Sequence, residues 1–252
     1  MSTNIIKELN IQFNRYYNDG YDLVSVDQTL IDHLASYVLQ ENFSDAPLHR
    51  GLSQPDWDAD YTNITPEYYE KQSKYIDILK PIIDDSFYFD YWRTLYGNFD
   101  ELVVSVNKME KGSSMDWHWD GFDGSVLQLM LYVNLEKRTK EDGGLIEIGK
   151  SIDPMVNEDD PFPHWSPSTG LNEVTGDVIV TGSLVPDNNV GIVLNNNNPT
   201  LVHRVTPLLT DKIRYSVLLQ CGYKHNWNSN KLKNNGGQYV DPRTGMTIDI
   251  NV

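Results

Sequence analysis

The sequence lacks several features that would assign it to common classes of protein. It has a single cysteine, Cys221, among 252 residues, so no intrachain disulfide can form. No apolar run reaches the length of about 18 residues that a membrane-spanning helix needs. The first residues lack a basic segment leading into a long apolar stretch, which argues against a secretory signal. We therefore expect a cytoplasmic protein of a reducing compartment, with no membrane partner.

Positive charge is also scarce. The chain has 20 Lys and Arg against 36 Asp and Glu, and its net charge is −16, with no basic cluster to interrupt the acidic background. Such a surface repels phosphate backbones and disfavours a nucleic-acid partner. Hydrophobic residues make up 39% of the chain, which is enough for a folded core.

Helical patterns dominate the first third of the chain. Asp27 and Thr65 are candidate N-caps, because each precedes apolar residues at helical spacing. A third helix, rich in aromatic residues, is expected over Ile82–Leu95, after Pro81. We predict that residues 1–99 form a helical support region that packs on the core.

From about residue 100 the apolar pattern becomes that of β-strands. Turn signals separate short apolar or alternating segments, and these segments are Glu101–Met109, Val126–Leu135, Leu145–Ile148, Asp177–Thr181 and Arg214–Gly222. Many short strands joined by turns favour a closed or double-sheet β architecture. We predict a β core over 100–223 and a polar C-terminal extension over 224–252, within a single domain overall.

A His-x-Asp pair, His118 and Asp120, is the main candidate for a metal site. Residues i and i+2 of a strand point the same way, so both side chains can chelate one ion. His203 can supply a third ligand from a facing strand. Two imidazoles and one carboxylate on one face of a metal form the usual site of non-haem Fe(II), with three positions left for an oxidant and a co-substrate.

Other residues near this pair are given simpler roles. Trp117 and Trp119 alternate with His118 and are expected to pack. The long insert Ser151–Asn172 is the expected substrate lid, and Asn195–Asn198 is expected to be a solvated turn. The four remaining histidines lack convergent partners, so we expect none of them to bind a metal: His33, His49, His164 and His225.

A cation follows the third candidate ligand. Arg214 begins an apolar strand, and a buried arginine requires an anion. Its planar guanidinium matches a carboxylate bidentately. Ser216 lies two residues on, so its hydroxyl can reach the same carboxylate. The pattern indicates a binding site for an organic acid.

The ordered set of motifs resembles the 2-oxoglutarate/Fe(II)-dependent oxygenases, most closely their prolyl 4-hydroxylase-like branch. The resemblance covers about residues 100–223 and implies a mainly β fold with flanking α-helices around a double-stranded β-helix (jelly roll, cupin-like) core. The segments that carry it are His118-x-Asp120, Leu127–Asn134, Gly143–Ile146, Gly176–Ile179, His203-x-Val205-x-Pro207 and Arg214–Ser216.

The resemblance also implies roles for individual residues. His118, Asp120 and His203 would bind Fe(II), and Arg214 would hold the far (C5) carboxylate of 2-oxoglutarate. Other residues would contact or line the co-substrate pocket, and they are Tyr132, Ser216, Val205, Gln128 and Met130. The chain departs from the family where a tyrosine often lies about nine to eleven residues before the first ligand, because Asn107, Lys108 and Met109 occupy that window.

The implied activity is hydroxylation of an unactivated C–H bond. It would use Fe(II), 2-oxoglutarate and O2, with ascorbate in support, and would release succinate and CO2. A peptidyl proline is the expected substrate, within a peptide or protein partner; a free amino acid or another small molecule is the alternative. Two further classes stay open at this point, a catalytically inactive jelly-roll binding module and a cupin-type metal enzyme.

Overall fold

Two antiparallel β-sheets pack face to face. The computed structural model describes residues 15–46, 52–58, 65–120, 125–152, 165–166, 171–174, 176–198, 200–223, 238–240 and 247–249. Its helices are α1 (Gln28–Val38), α2 (Pro66–Asp85) and α3 (Phe87–Tyr96), with a π-helical turn at Arg15–Asp19 and a 3-10 turn at Lys140–Asp142.

The strands follow in chain order: β1 (Tyr21–Ser25), β2 (Phe43–Asp45), β3 (Ser53–Pro55), β4 (Glu101–Met109), β5 (Met115–Trp119), β6 (Ser125–Tyr132), β7 (Ile146–Ser151), β8 (Trp165–Ser166), β9 (Leu171–Glu173), β10 (Val178–Leu184), β11 (Val190–Leu194), β12 (Leu201–Val205), β13 (Arg214–Gly222), β14 (Gln238–Val240) and β15 (Thr247–Asp249). The larger sheet has the order β1-β11-β6-β13-β4-β3-β2, and the smaller has the order β10-β7-β12-β5-β9-β8. The predicted jelly-roll architecture is confirmed.

Alternation along the central strands divides the core into two layers. On β13, Tyr215, Val217 and Leu219 point outward to the helices, whereas Arg214 and Ser216 point to the opposite face. The outer layer joins the larger sheet to α1, α2 and α3. The inner layer lies between the sheets and includes Met130, Tyr132, Ile148, Val205 and Leu208.

Both predicted N-caps are confirmed. The Asp27 side chain accepts a hydrogen bond from the backbone N–H of Thr29 at 2.8 Å, and Thr65 accepts one from Tyr68 at 3.3 Å. Each side chain satisfies a backbone donor that the first turn of a helix leaves free.

The expected helix break at Pro81 is wrong. α2 continues through Pro81, and the chain turns instead at Ser86, between α2 and α3. Pro81 is exposed, while the side chains of Leu79 and Ile83 on either side of it are buried. Their packing holds the helix on the sheet although the proline removes one backbone hydrogen bond.

The first third of the chain is less purely helical than its pattern indicates. Residues 1–99 add β1, β2 and β3 to the larger sheet as well as the three helices α1, α2 and α3. Gln72 of α2 joins these parts, because its side-chain amide exchanges hydrogen bonds with the backbone N–H and carbonyl of Val104 on β4. The division at residues 99 and 223 remains a prediction. At the C-terminal end, β14 and β15 pair only with each other among the described strands.

Among the helices that the structure describes, none combines the length and the apolar character required to cross a bilayer.

Candidate metal centre and acid-binding pocket

Two paired strands of the smaller sheet bring the three candidate ligands together. His203 on β12 lies directly opposite His118 on β5, and their ring centres are 4.2 Å apart. Asp120 follows the end of β5. Its carboxylate oxygens lie 3.6 Å from Nε2 of His118 and 3.3 Å from Nε2 of His203. One potential ligand atom from each residue falls within 4.8 Å of the others, which is close enough to hold one ion.

Hydrogen bonding and charge prepare these groups to act as ligands. The backbone carbonyl of Asp116 lies 2.7 Å from Nδ1 of His118, and so Nε2 is the nitrogen that faces Asp120. Burial opposes ionisation of Asp120, but the charges of His203 and His118 and hydrogen bonding with His203 and Gln128 outweigh it. They hold the pKa of this carboxyl well below its usual range. An ionised carboxylate beside two imidazoles suits a divalent cation.

Arg214 of β13 is buried on the inner face of the larger sheet. Only 3% of it is exposed, and no carboxylate of the described residues lies within ion-pair distance of it. Its guanidinium carbon lies 5.2 Å from the centre of the Tyr132 ring, and its Nη1 lies 3.1 Å from the Met109 sulfur. Burial lowers the pKa of the guanidinium, while Tyr132 opposes that shift.

Polar atoms around Arg214 are ready to receive an acid. Its Nε and the hydroxyl of Tyr132 are both buried and make no full hydrogen bond to the described residues, although the hydroxyl lies close enough to the guanidinium to interact with it. Ser216 lies opposite Tyr132 across β13 and β6, with its side chain on the same face as Arg214. Because buried polar groups are ordinarily satisfied, these atoms fit the carboxylate of a bound organic acid.

The inner face of β6 connects the two ends of this space. Gln128 interacts with Asp120, Met130 lies midway, and Tyr132 lies beneath Arg214. At about 3.3 Å per residue, Gln128 and Tyr132 are separated by about 13 Å. Gln128 therefore belongs to the metal end of the space, whereas Val205 packs in the inner layer with Met130 and Tyr132.

Two side chains occupy the window where the resemblance leads us to expect a tyrosine. Asn107 lies opposite Ser216, and Met109 lies opposite Arg214. The Asn107 amide oxygen accepts a hydrogen bond from Gln54 at 3.3 Å. A thioether thus stands against the guanidinium, and it offers little hydrogen bonding to a ligand compared with a phenol.

The comparison with solved structures gives matches, whereas the two sequence comparisons give none. No protein-family model matches the sequence, and no curated protein matches it either. A prolyl hydroxylase from Trichoplax adhaerens, in complex with a hypoxia inducible factor peptide fragment, superposes with a TM-score of 0.51 at 15% identity, over 88% of this chain and 94% of that one. A 2OG-Fe(II) oxygenase family oxidoreductase from Burkholderia pseudomallei gives 0.51 at 13% identity, over 88% and 91%.

The chain has the 2-oxoglutarate/Fe(II) oxygenase fold. A prolyl-4-hydroxylase from Pseudomonas putida is a further match, with a TM-score of 0.49 at 13% identity, over 85% of this chain and 98% of that one. The superpositions with TM-scores of 0.51 show the fold of the chain. At 13–15% identity they do not show its chemistry.

Other predictions near the site have mixed outcomes. Trp119 is buried against Val202, with Trp117 packed on the same cluster, which confirms their packing roles. His33 lies on α1 beside Tyr37. His49, His164 and His225 lie outside the described residues, as does most of the insert expected to be a lid. Among its described parts, β8 pairs with β9, and β9 lies beside β5, which places Glu173, directly after the insert, opposite His118.

The turn expected at Asn195–Asn198 is present, with the backbone N–H of Asn198 donating to the carbonyl of Asn195 at 3.1 Å, but its expected solvation is wrong for the first two residues. Asn195 and Asn196 are both buried, and Asn196 joins a hydrogen-bonded network next to the candidate metal site. A run of four asparagines ending at a proline gives no local sign of burial, because asparagine is common in turns. Pairing of β11 with β6 carries the start of this loop under the inner face of the larger sheet.

Proposed function

We propose that this protein is an Fe(II)- and 2-oxoglutarate-dependent dioxygenase that hydroxylates an unactivated C–H bond. The position of Arg214 carries the proposal. This buried cation has no carboxylate of the described residues within ion-pair distance, and it faces the inner layer between the sheets, which His203 also faces between Leu201 and Val205. A metal site alone is compatible with many enzymes. A metal site and an acid-binding arginine that face the same inner layer favour a 2-oxo acid as co-substrate.

Each residue has a definite part in this proposal. His118, Asp120 and His203 would hold Fe(II), and Arg214 with Tyr132 and Ser216 would bind the far carboxylate of 2-oxoglutarate. With O2, the bound metal and co-substrate would supply the oxidising power and release succinate and CO2. Apolar side chains between the two ends, Met130 and Val205 among them, would exclude water from the reacting groups.

The substrate is proposed as a chemical class. Peptidyl proline is the first class to test, because the sequence resembles the prolyl 4-hydroxylase-like branch and the Trichoplax enzyme of the same fold has a peptide fragment bound. A free amino acid or another small molecule is the alternative. A cupin-type enzyme is disfavoured, because that proposal leaves Arg214 without a role.

The test is succinate formation by the purified protein. Protein prepared without oxygen is given Fe(II), ascorbate, 2-oxoglutarate and air, and succinate is measured with a pool of proline-containing peptides, with a pool of free amino acids and with neither. His118→Ala and Arg214→Ala are the matched variants. We expect succinate from the wild type that both variants lose, with stimulation by the peptides.

The outcomes separate the alternatives. Stimulation by free amino acids alone would replace the peptidyl substrate and retain the enzyme class. Binding of metal and 2-oxoglutarate without succinate from any pool would support the binding-module alternative. Failure of the wild type to bind either one would refute the proposed function.

A further inference from the structure

A buried hydrogen-bonded network adjoins the candidate metal site, and Asn196 is its centre. Asn196 is 1% exposed, and it lies in the loop after β11. Its side-chain Nδ2 donates to Oε1 of Gln128 and to Oγ of Ser125, both at 3.0 Å. Its backbone carbonyl accepts from the indole N–H of Trp119, also at 3.0 Å. One residue thus joins the end of β5 to the start of β6.

Gln128 carries this network towards Asp120. Its side chain is fully buried, and Oε1 is committed to Asn196. The Gln128 side chain lies close enough to the Asp120 carboxylate to help lower the pKa of that carboxyl, and Nε2 is the amide atom that can donate to it. Nε2 has no full hydrogen bond to any of the described residues. Asp120 is the group that this buried donor can serve.

The direction of the hydrogen bonds in this network follows from the chemistry of Asp120, the group at its end. Two linked amides can be reversed together, because each has a donor side and an acceptor side. In the reversed arrangement Gln128 would turn its oxygen towards Asp120. An ionised carboxylate only accepts hydrogen bonds, so that arrangement would place two acceptors together in a buried site. Asn196 donating to Gln128 is the arrangement compatible with Asp120 as a metal ligand, because a carboxylate that binds a metal ion only accepts hydrogen bonds.

We propose that Asn196 is a positioning residue, which acts through Gln128 to hold the Asp120 carboxylate in the orientation that binds the metal. The inference rests on the proposed function, since it concerns the same metal site. Residues that orient metal ligands by hydrogen bonding typically change metal affinity about 10- to 100-fold when they are replaced. Asn196 is far from Asp120 and Gln128 in sequence, and no motif of the chain includes it.

The experiment measures metal binding directly, without turnover. Co(II) is titrated into the full-length protein without oxygen, and the visible absorption of the bound ion gives its affinity and reports its coordination. The variants are Asn196→Ala, Gln128→Met and the double variant. Methionine keeps the approximate length of glutamine and removes both the donor and the acceptor. Each single variant is expected to weaken Co(II) binding roughly tenfold and to change the absorption spectrum.

The double variant distinguishes positioning from general loosening. If Asn196 acts through Gln128, its removal has no further effect on Co(II) affinity once Gln128 is methionine, so the two single effects do not add. Additive losses in the double variant would overturn the proposal. So would an unchanged affinity and spectrum in Asn196→Ala.

A matched control and a second variant keep the test decisive. Asn195→Ala removes a neighbouring buried asparagine, whereas the hydrogen bond to Gln128 comes from Asn196, and this variant is expected to bind Co(II) as the wild type does. If Asn196→Ala fails to fold, Asn196→Ser takes its place, because a serine hydroxyl is too short to reach Gln128. Absence of Co(II) binding in the wild type would instead count against the proposed function.

Discussion

His118 and His203 are cross-strand partners on β5 and β12, with ring centres 4.2 Å apart. Their backbones are held by the ladder of the smaller sheet, and β12 is also paired with β7 on its other side. The imidazoles therefore converge because of strand pairing, so the candidate site is largely formed by the fold itself. Pre-formed ligands of this kind reduce the ordering that metal binding requires.

Replacement of His203 tests this arrangement. His203→Ala is expected to weaken Co(II) binding by at least about 100-fold, while the far-ultraviolet circular dichroism stays that of the wild type, because the ladder does not depend on the metal. His33→Ala, on an exposed face of α1, is the control and is expected to bind normally. Loss of the circular dichroism signal in His203→Ala, or on removal of metal from the wild type, would contradict a site formed by the fold.

Arg214→Met is expected to have opposite effects on stability and on binding. A buried cation with no carboxylate among the described residues to pair with destabilises the folded protein, so its removal should raise the Tm measured without ligand by several degrees. The same variant should bind 2-oxoglutarate roughly 100-fold more weakly, because truncating one member of a buried charge pair typically costs about 2–5 kcal/mol. Thermal scans with and without 2-oxoglutarate measure both effects.

The control for this change is Arg204→Met. Arg204 pairs with Glu147 at 2.6 Å and lies over Trp117, away from the inner layer. We expect Arg204→Met to show the same rise in Tm with 2-oxoglutarate as the wild type does. A full ligand-induced rise in Arg214→Met would mean that the acid binds elsewhere.

Asp58 predicts a pH dependence of stability. Burial raises the pKa of this carboxyl from the ordinary value of 3.8 to about 7, against hydrogen bonds to Val106 and Ser105 that lower it. The folded protein thus binds this proton more tightly than the unfolded chain does. The stabilisation is complete below about pH 4 and is lost as pH rises to about 7. In Asp58→Asn, the fall in Tm between pH 5 and pH 8 should become smaller; an equal fall in both proteins would contradict this reading.

Pro81→Ala is expected to stabilise the fold. The exposed proline lies inside α2 and denies Asp77 the backbone hydrogen bond of a regular helix. Alanine restores that bond at the cost of a more flexible unfolded chain, for a net gain of about 1–2 kcal/mol. Thermal unfolding should show a Tm higher by about 2–6 °C. A lower Tm would indicate that the helix is shaped around the proline.

The sequence predicted strands best where the spacing of apolar residues along the chain matches the burial of those residues in the fold. The predicted bounds of β4 and β13 are those of the structure, because both strands carry long apolar runs or alternations. β2 and β3 were missed, since Phe43–Asp45 and Ser53–Pro55 are short and polar and exist only through pairing in the larger sheet. Pro81 misled because tertiary packing outweighs the local cost of a proline in a helix.

The candidate site also has parts that the sequence could indicate and parts that it could not. The spacing of His118 and Asp120 is local, so the sequence could indicate it, and the third histidine followed from the ordered motifs. Asn196 could not be found, because its importance depends on contacts with Gln128 and Trp119, which are distant in sequence. The same holds for Met109, whose contact with Arg214 arises from the pairing of β4 with β13.

The inner face of β6 also acts as a ruler. Its two ends face Asp120 and Arg214, and the strand between them has a fixed rise of about 3.3 Å per residue. Under the proposed function, an acid chelated at one end would have to reach the guanidinium at the other, so carbon count more than charge would select among 2-oxo acids. Met130 lies midway along the strand, so a side chain of another size at this position would change the length of acid that fits.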